Sequence, residues 1–290
     1  MTSRNTLTAT ALLAATLALS PLTHAIDLDA GDYDTAPAGT TLGLLYAQHA
    51  ERDALYNNSH KVAGDNGLDS DIGIARLVHY TDIAGIRVLP QILIPFGHLE
   101  GKGDTSSLGS ASGVGDVILA IPTWLINDTK NSTYLGITPY LYLPTGNYDR
   151  YKALNLGENR YKGNLQVAFS THLAPQIAWD VAGDVTVYGD NSDALGGTLK
   201  QSLGYQVQTN ARYLLSPKAD LRAGISYANA GETKQNGVTA DANTQSKFWV
   251  GTAFWPLDKT QVILTYGQDI KVENGFKESN RVNLRLLQVF

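Results

Sequence analysis

Twelve stretches of about ten residues alternate apolar and polar side chains, and the connections between them alternate short with long. Few folds accept that pattern. The stretches lie near residues 40–50, 69–80, 86–96, 114–126, 132–144, 161–171, 177–188, 200–214, 220–228, 246–255, 260–269 and 280–290. Between Ile177 and Tyr188, one face carries Ile177, Trp179, Val181, Gly183, Val185 and Val187. The other carries Ala178, Asp180, Ala182, Asp184, Thr186 and Tyr188. Connections near 81–85, 127–131, 172–176, 215–219 and 256–259 are short, whereas those near 51–68, 97–113, 145–160, 189–199, 229–245 and 270–279 are longer and polar or glycine-rich. A Greek-key sandwich mixes hairpins with crossovers and breaks such regularity, while an outer-membrane barrel has short periplasmic turns and long extracellular loops. The expected fold is all-β: a transmembrane antiparallel up-and-down β-barrel of about 12 strands, with both termini on the periplasmic side.

A chain crossing lipid must pair every backbone amide within itself, so without spanning helices it crosses only as a closed sheet. Apolar faces then meet lipid and polar faces meet the lumen. Asp180, Asp184, Arg212, Arg222, Arg281, Asn283 and Arg285 are expected to point inward, as lumen ion pairs or as pore lining. Twelve strands fall between small barrels filled by side chains and wide porins, which predicts a narrow or gated pore.

Residues 1–25 read as a cleaved signal peptide, with Arg4 in the n-region, an apolar stretch from Leu7 to Leu19, and Thr23 and Ala25 flanking a cleavage site. That apolar stretch is too short to span hydrocarbon as a helix. Residues 26–290 are then a single outer-membrane β-barrel domain, which places the protein in the bacterial outer membrane after export through the periplasm.

Aromatic residues beside the short turns, namely Tyr80, Trp124, Tyr134, Trp179, Tyr213, Trp255 and Phe290, are expected to form a periplasmic interfacial girdle against outer-membrane lipid. The alternative is that they fill a core. The final strand ends on Phe290, a signature suited to recognition by the barrel-assembly machinery.

With no cysteine, the chain lacks disulfides, thiolate metal sites and cysteine nucleophiles. Lys and Arg number 22 against 27 Asp and Glu, with no basic cluster, which argues against a nucleic-acid partner. His49, His60, His79, His98 and His172 show no metal-binding spacing, so no metal or cofactor is expected. Ser170 and His172 share a strand face, but two residues apart and with no acid specified nearby they make a weak hydrolase motif. Pro90, Pro95, Pro122 and Pro139 fall within expected strands and predict bulges or breaks in the wall, where lateral or periplasmic exits could open.

Three motifs, Gly113-Val114-Gly115-Asp116, Leu143-Pro144-Thr145-Gly146-Asn147-Tyr148-Asp149 and Asn155-Leu156-Gly157-Glu158-Asn159-Arg160-Tyr161, flank long connections. With Leu44-Leu45-Tyr46, Asp71-Ile72-Gly73-Ile74 and Arg76 to Tyr80, they make the chain resemble the family named for the phenol meta-cleavage degradation pathway, also described as sphingosine-induced outer-membrane proteins. The resemblance covers essentially the whole chain after residue 25. Tyr161 stands where Trp is more usual. The resemblance implies an outer-membrane barrel that admits hydrophobic substrates.

By the topology all three motifs lie at the extracellular mouth. Their Gly, Asn and Asp residues are either turn formers needed for closure or, with Asp116, Tyr148, Asp149 and Asn159, shape the entrance. The expected function is passive or gated uptake of small hydrophobic compounds, aromatic ones among them, without enzymatic chemistry. The alternatives are a non-transporting structural or adhesive barrel and, as a minor reading, an outer-membrane hydrolase.

Overall fold

The computed structural model describes residues 28–290; the expected signal peptide lies outside the described residues. Twelve antiparallel strands form the wall. They are β1 Thr41–Asn57, β2 Asn66–His79, β3 Gln91–Gly103, β4 in three pieces (Ser110–Val114, Ile118–Ala120 and Thr123–Asp128), β5 Thr133–Tyr142 and β6 Lys162–Ala174. The second half comprises β7 Ile177–Tyr188, β8 Gly204–Ser216, β9 Ala219–Asn229, β10 Thr244–Leu257, β11 Thr260–Val272 and β12 Gly275–Val289. Each strand pairs with its sequence neighbours, and β1 pairs with β12 from Leu42↔Val289 to Tyr56↔Gly275, closing the sheet and removing its edges.

The alternation in sequence becomes an inside and an outside. Leu45, Leu77, Ile92, Leu165, Val185, Val207, Ile225, Val250, Leu264 and Leu284 are exposed around the wall, while their strand neighbours Asp180, Gln166, Gln208 and Arg222 are buried inside it. This is the inverse of a water-soluble sheet and is what lipid contact demands. A slip of one residue would turn Arg212, Arg222 and Arg285 outward, so the register is held by the solvent on each face.

Several boundaries differ from the sequence expectation. The β3 strand begins at Gln91 instead of 86, because Thr81–Ile83 and Ile86–Val88 pair as a small hairpin at the periplasmic rim. The β12 strand begins at Gly275, which leaves only residues 273–274 between it and β11, so the last outward connection is a tight turn; the short-long alternation also fails at the inward connection 80–90, which is longer than the outward 104–109. Polar residues continue β11 and β12 beyond the apolar belt, where alternation no longer reports a strand. Two other outward connections, 189–203 and 230–243, are tied by a three-stranded sheet of Leu199–Gln201, Thr233–Gln235 and Val238–Ala240.

The prolines mark an irregular wall at β4. The β2–β3 ladder runs through Pro95 without a break, Ile74 opposite Pro95. On the other side of β3, pairing stops at Phe96↔Val114 and resumes at Leu93↔Ile118, with one bond from the Gly115 N–H to the Pro95 carbonyl at 2.8 Å between them. A second break falls at Ile121 and Pro122, where the Ile121 N–H reaches the Pro139 carbonyl at 3.3 Å. Proline has no N–H to give the ladder, which accounts for the interruption.

Candidate functional site

The lumen is built from three parts: a polar wall, an apolar wall and two inserted segments. On β6 to β9 the inward side chains are amides and charges. Asn164 donates to Asp184 at 2.8 Å and to Thr186 at 2.8 Å. The side-chain amide of Gln208 and the side-chain oxygen of Asn210 are buried without a protein partner, groups that water or a polar solute would satisfy. On β2 to β5 more of the inward side chains are apolar: Leu68, Ile72, Leu93, Leu99, Ile118 and Tyr142 are buried, among the polar Ser70, Gln91 and Thr138. A uniformly polar lumen was the expectation from alternation, and this half departs from it because the wall there packs against inserted chain instead of water.

The extracellular insert is the connection 143–161. It folds into the barrel mouth and buries Leu154 and Leu156 against Leu68, Ile72, Leu99 and Phe276. The family motifs explain how it closes. A Cβ at Gly157 would lie 2.7 Å from the Gly146 carbonyl carbon, and one at Gly146 would lie 2.7 Å from that of Gly115, so glycines from three motifs meet at backbone distance. Asp116 clamps them, its carboxylate accepting from the Gly146 N–H at 2.9 Å and the Glu158 N–H at 2.9 Å. We expect Gly157→Val to push the insert out of the mouth and expose Leu154 and Leu156, which trypsin cleavage after Arg150 or Lys152 would report as faster than wild type. Unchanged cleavage would show that the packing yields.

Beneath the clamp, Glu158 is buried between Arg160, at 2.6 Å, and Lys162. Burial raises the Glu158 carboxyl, but the two cations outweigh it and hold the group at about 2. Arg160 also lies over the Tyr188 ring at 4.8 Å, and Lys162 over the Tyr142 ring at 4.4 Å. Of the mouth residues singled out in sequence, Asp116 and Asn159 belong to this closure. Asn159 takes a positive φ of 53° and donates to Asn191 at 3.1 Å. Tyr148 and Asp149 sit farther out, Tyr148 reaching the Asp193 carbonyl at 3.4 Å and Asp149 accepting from the Tyr151 N–H at 2.9 Å within its own turn.

The periplasmic insert is residues 28–36. Asp29 and Asp32 both accept from Arg285, at 2.9 and 2.6 Å; Asp32 also accepts from Arg76 at 3.2 Å, and Asp34 from Arg212 at 2.9 Å. Burial pushes the Asp32 carboxyl up, but Arg285 and Arg76 outweigh it and leave the group below its ordinary value. Arg222 is held by Asp220 through two bonds of 2.8 Å and also reaches the Ala30 carbonyl at 3.3 Å. Tyr33 lies across the lumen, its hydroxyl 2.6 Å from that of Thr138 and its ring edge-on to Trp124 at 6.0 Å. Gly31 is required here: its φ is 86°, and a Cβ would stand 2.4 Å from the Arg212 guanidinium.

All six strand charges named from sequence face inward, but they do not all meet one another. Arg212 lies 3.7 Å from Asp180, Arg281 lies 3.7 Å from Glu278, and Arg285 is satisfied chiefly by the N-terminal aspartates. Those aspartates were missed. The available signal was Asp29, Asp32 and Asp34 following a predicted cleavage site in a chain whose barrel arginines lacked named partners. Part of the expected aromatic girdle is also corrected: Tyr80, Trp124 and Tyr134 are buried inside the barrel around Tyr33 and Leu28, because the insert gives them an apolar surface to cover. Tyr213 and Phe290 are exposed outside.

Between the periplasmic insert and the rim lies a vestibule of about 450 Å³. Tyr33 also borders a smaller space of about 20 Å³, together with Arg76, Gln91, Leu93 and Tyr140. Through its contacts with Thr138 and Trp124 the insert narrows the passage. Ser170 and His172 form no hydrolytic pair: the Ser170 hydroxyl donates to Asp34 at 3.4 Å. Among the described residues no group of three metal-binding side chains converges.

A closed twelve-strand wall with a lipid-facing apolar belt and a charged, partly filled lumen defines an outer-membrane β-barrel channel. Residues 52–286 match the family described as "Putative MetA-pathway of phenol degradation", and the chain belongs to that family. It is similar to the COG4313 outer membrane channel from Pseudomonas putida F1, at 40% identity and a TM-score of 0.86, covering 91% of this chain and all of that one. The translocator domain of the autotransporter NalP from Neisseria meningitidis (TM-score 0.51, 10% identity, 89% and 90% of the two chains) shares the barrel fold alone. So does the TodX monoaromatic hydrocarbon channel in its deltaS2 mutant form (TM-score 0.50, 10% identity, 88% and 91%). No curated protein sequence matches the chain.

Proposed function

We propose that this barrel is a passive or gated uptake channel for small hydrophobic compounds, aromatic ones included. The observation that carries this reading is the two-sided lumen, in which an apolar stretch from Ile72, Leu93, Ile118 and Tyr142 stands beside the amide wall of β6 to β9. An apolar solute can follow the first once the insert covering Ile72 moves aside, while water fills the second. The interrupted β4 is the candidate lateral route to lipid, since its ladder to β3 is broken between Val114 and Ile118. The 40% identical COG4313 relative is an outer membrane channel, and the Ser170 geometry favours no hydrolytic role. Filling by both inserts is the one observation favouring a non-transporting structural barrel. Uptake of labelled toluene, phenol and a long-chain lipid into vesicles, with lipopolysaccharide in the outer leaflet, separates the two. Faster entry of at least one compound with protein present is expected, and equal rates for all three would leave the structural role.

The same reading includes export by the 1–25 signal peptide, with the proposed domain at 26–290, and insertion by the barrel-assembly machinery through the last strand. Phe290 is exposed at the rim, its N–H bonded to the Thr41 carbonyl at 3.0 Å. Deleting Phe290 should lower the folded yield in cells while leaving refolding of purified protein into detergent unchanged. A loss in both would make the residue structural.

A further inference from the structure

Arg76, Arg212, Arg222 and Arg285, from four different strands, all border the 450 Å³ periplasmic vestibule. The rest of that wall is mixed: Leu44, Val78, Trp255 and Leu287 give it an apolar face, while Asp32, Asp34, Asp220 and Gln261 are polar. A volume of this size is in the range of small-molecule sites. Guanidinium groups recognise carboxylates by two-point hydrogen bonding. The N-terminal insert already uses that chemistry: its carboxylates at Asp32 and Asp34 reach Arg285 at 2.6 Å and Arg212 at 2.9 Å from a segment outside the wall.

We infer that the vestibule is a binding site for small amphipathic carboxylates, aromatic carboxylates foremost, and that Asp32 and Asp34 are an intramolecular stand-in for the ligand. The ligand's carboxylate takes an arginine that the insert gives up, and its ring lies on the apolar face. Exchange of one carboxylate for another leaves the arginines paired, so the insert can move aside without stranding buried charge. This rests on the channel reading above and adds to it the polar end of the substrate and the event that opens the constriction.

Trp255 in the vestibule supplies an optical readout. Purified full-length protein in detergent is titrated with benzoate, benzamide and acetate, following tryptophan fluorescence. Saturable benzoate binding is expected, at least tenfold tighter than benzamide, which lacks the charge, and than acetate, which lacks the ring. The double variant Asp32→Asn/Asp34→Asn, checked for folding by heat-modifiable gel migration, should bind benzoate about tenfold more tightly. Equal affinities for benzoate and benzamide would overturn the carboxylate site. Equal affinities for benzoate and acetate would overturn its amphipathic character. For wild type, these comparisons need no variant. A folded double variant with unchanged benzoate affinity would overturn the stand-in role. Vesicle uptake of toluene reports on the channel reading separately, because a barrel that admits toluene and fails to bind benzoate retains the first reading and loses this one.

Discussion

Replacing Glu158 by Ala should cost about 3–5 kcal/mol of stability, the range for removing one partner from a buried charge cluster. Arg160 and Lys162 have side chains only 2% and 3% exposed, so neither can turn to water when the carboxylate goes. Glu158→Gln, which keeps shape and some hydrogen bonding but not charge, should fall between the two. Urea unfolding in phospholipid vesicles measures all three, and a loss under 1 kcal/mol would show that the mouth relaxes around the cations. The pH dependence has a definite sign. Because the folded carboxyl is held at about 2, below its ordinary value of 4.5, its contribution is complete above the ordinary value. It is lost as pH falls from about 4.5 toward 2. The stability difference between wild type and Glu158→Ala should therefore be constant at neutral pH and shrink across that acid window.

The second large effect is expected at Arg285, replaced by Met to keep the packing of its stem. Its guanidinium joins Asp29, Asp32 and Gln261, and removing it leaves Asp29 without its nearest cation and Asp32 with Arg76 alone. A loss of about 3 kcal/mol would follow if the insert stayed in place. The insert has another course, since its aspartates can leave the lumen for periplasmic water. We therefore expect a smaller loss of global stability together with a marked rise in single-channel conductance in planar bilayers. Conductance at the wild-type level, with the full stability loss, would show that Tyr33, Trp124 and the remaining arginines hold the insert without Arg285. The Glu158 and Arg285 sites lie at opposite ends of the lumen and share no partner, so their effects should add.

The barrel was legible from the sequence to an unusual degree because lipid imposes its pattern residue by residue. The Ile177–Tyr188 strand has the bounds expected for it, since every second residue there meets hydrocarbon and every other one meets the lumen. Arg212, Arg222 and Arg285 were legible as inward-facing for the same reason. The two-residue turn before Gly275 was not, because beyond the lipid belt both faces of β11 and β12 are wet and the alternation carries no information. Nor was the apolar half of the lumen: Leu68, Ile72 and Leu99 are inward because Leu154 and Leu156 come to cover them, and that contact joins residues far apart in the chain.

The site shows the same division more sharply. Gly115, Gly146 and Gly157 stand in motifs read as turn-forming, but their common purpose, three backbones meeting too closely for any Cβ, depends on strands that the sequence places in separate motifs. Asp29, Asp32 and Asp34 carry no periodicity, so only their distances to Arg76, Arg212 and Arg285 reveal them as an insert. Alternation alone yields twelve strands in the wall and points Asp180, Asp184, Arg212, Arg222, Arg281 and Arg285 inward, because solvent polarity acts locally on each side chain, but it misplaces Tyr80, Trp124 and Tyr134. What fills that lumen, how wide it is left and which carboxylate answers each arginine were decided only by the tertiary structure, because pairing inside a closed barrel depends on which segments its circumference brings together.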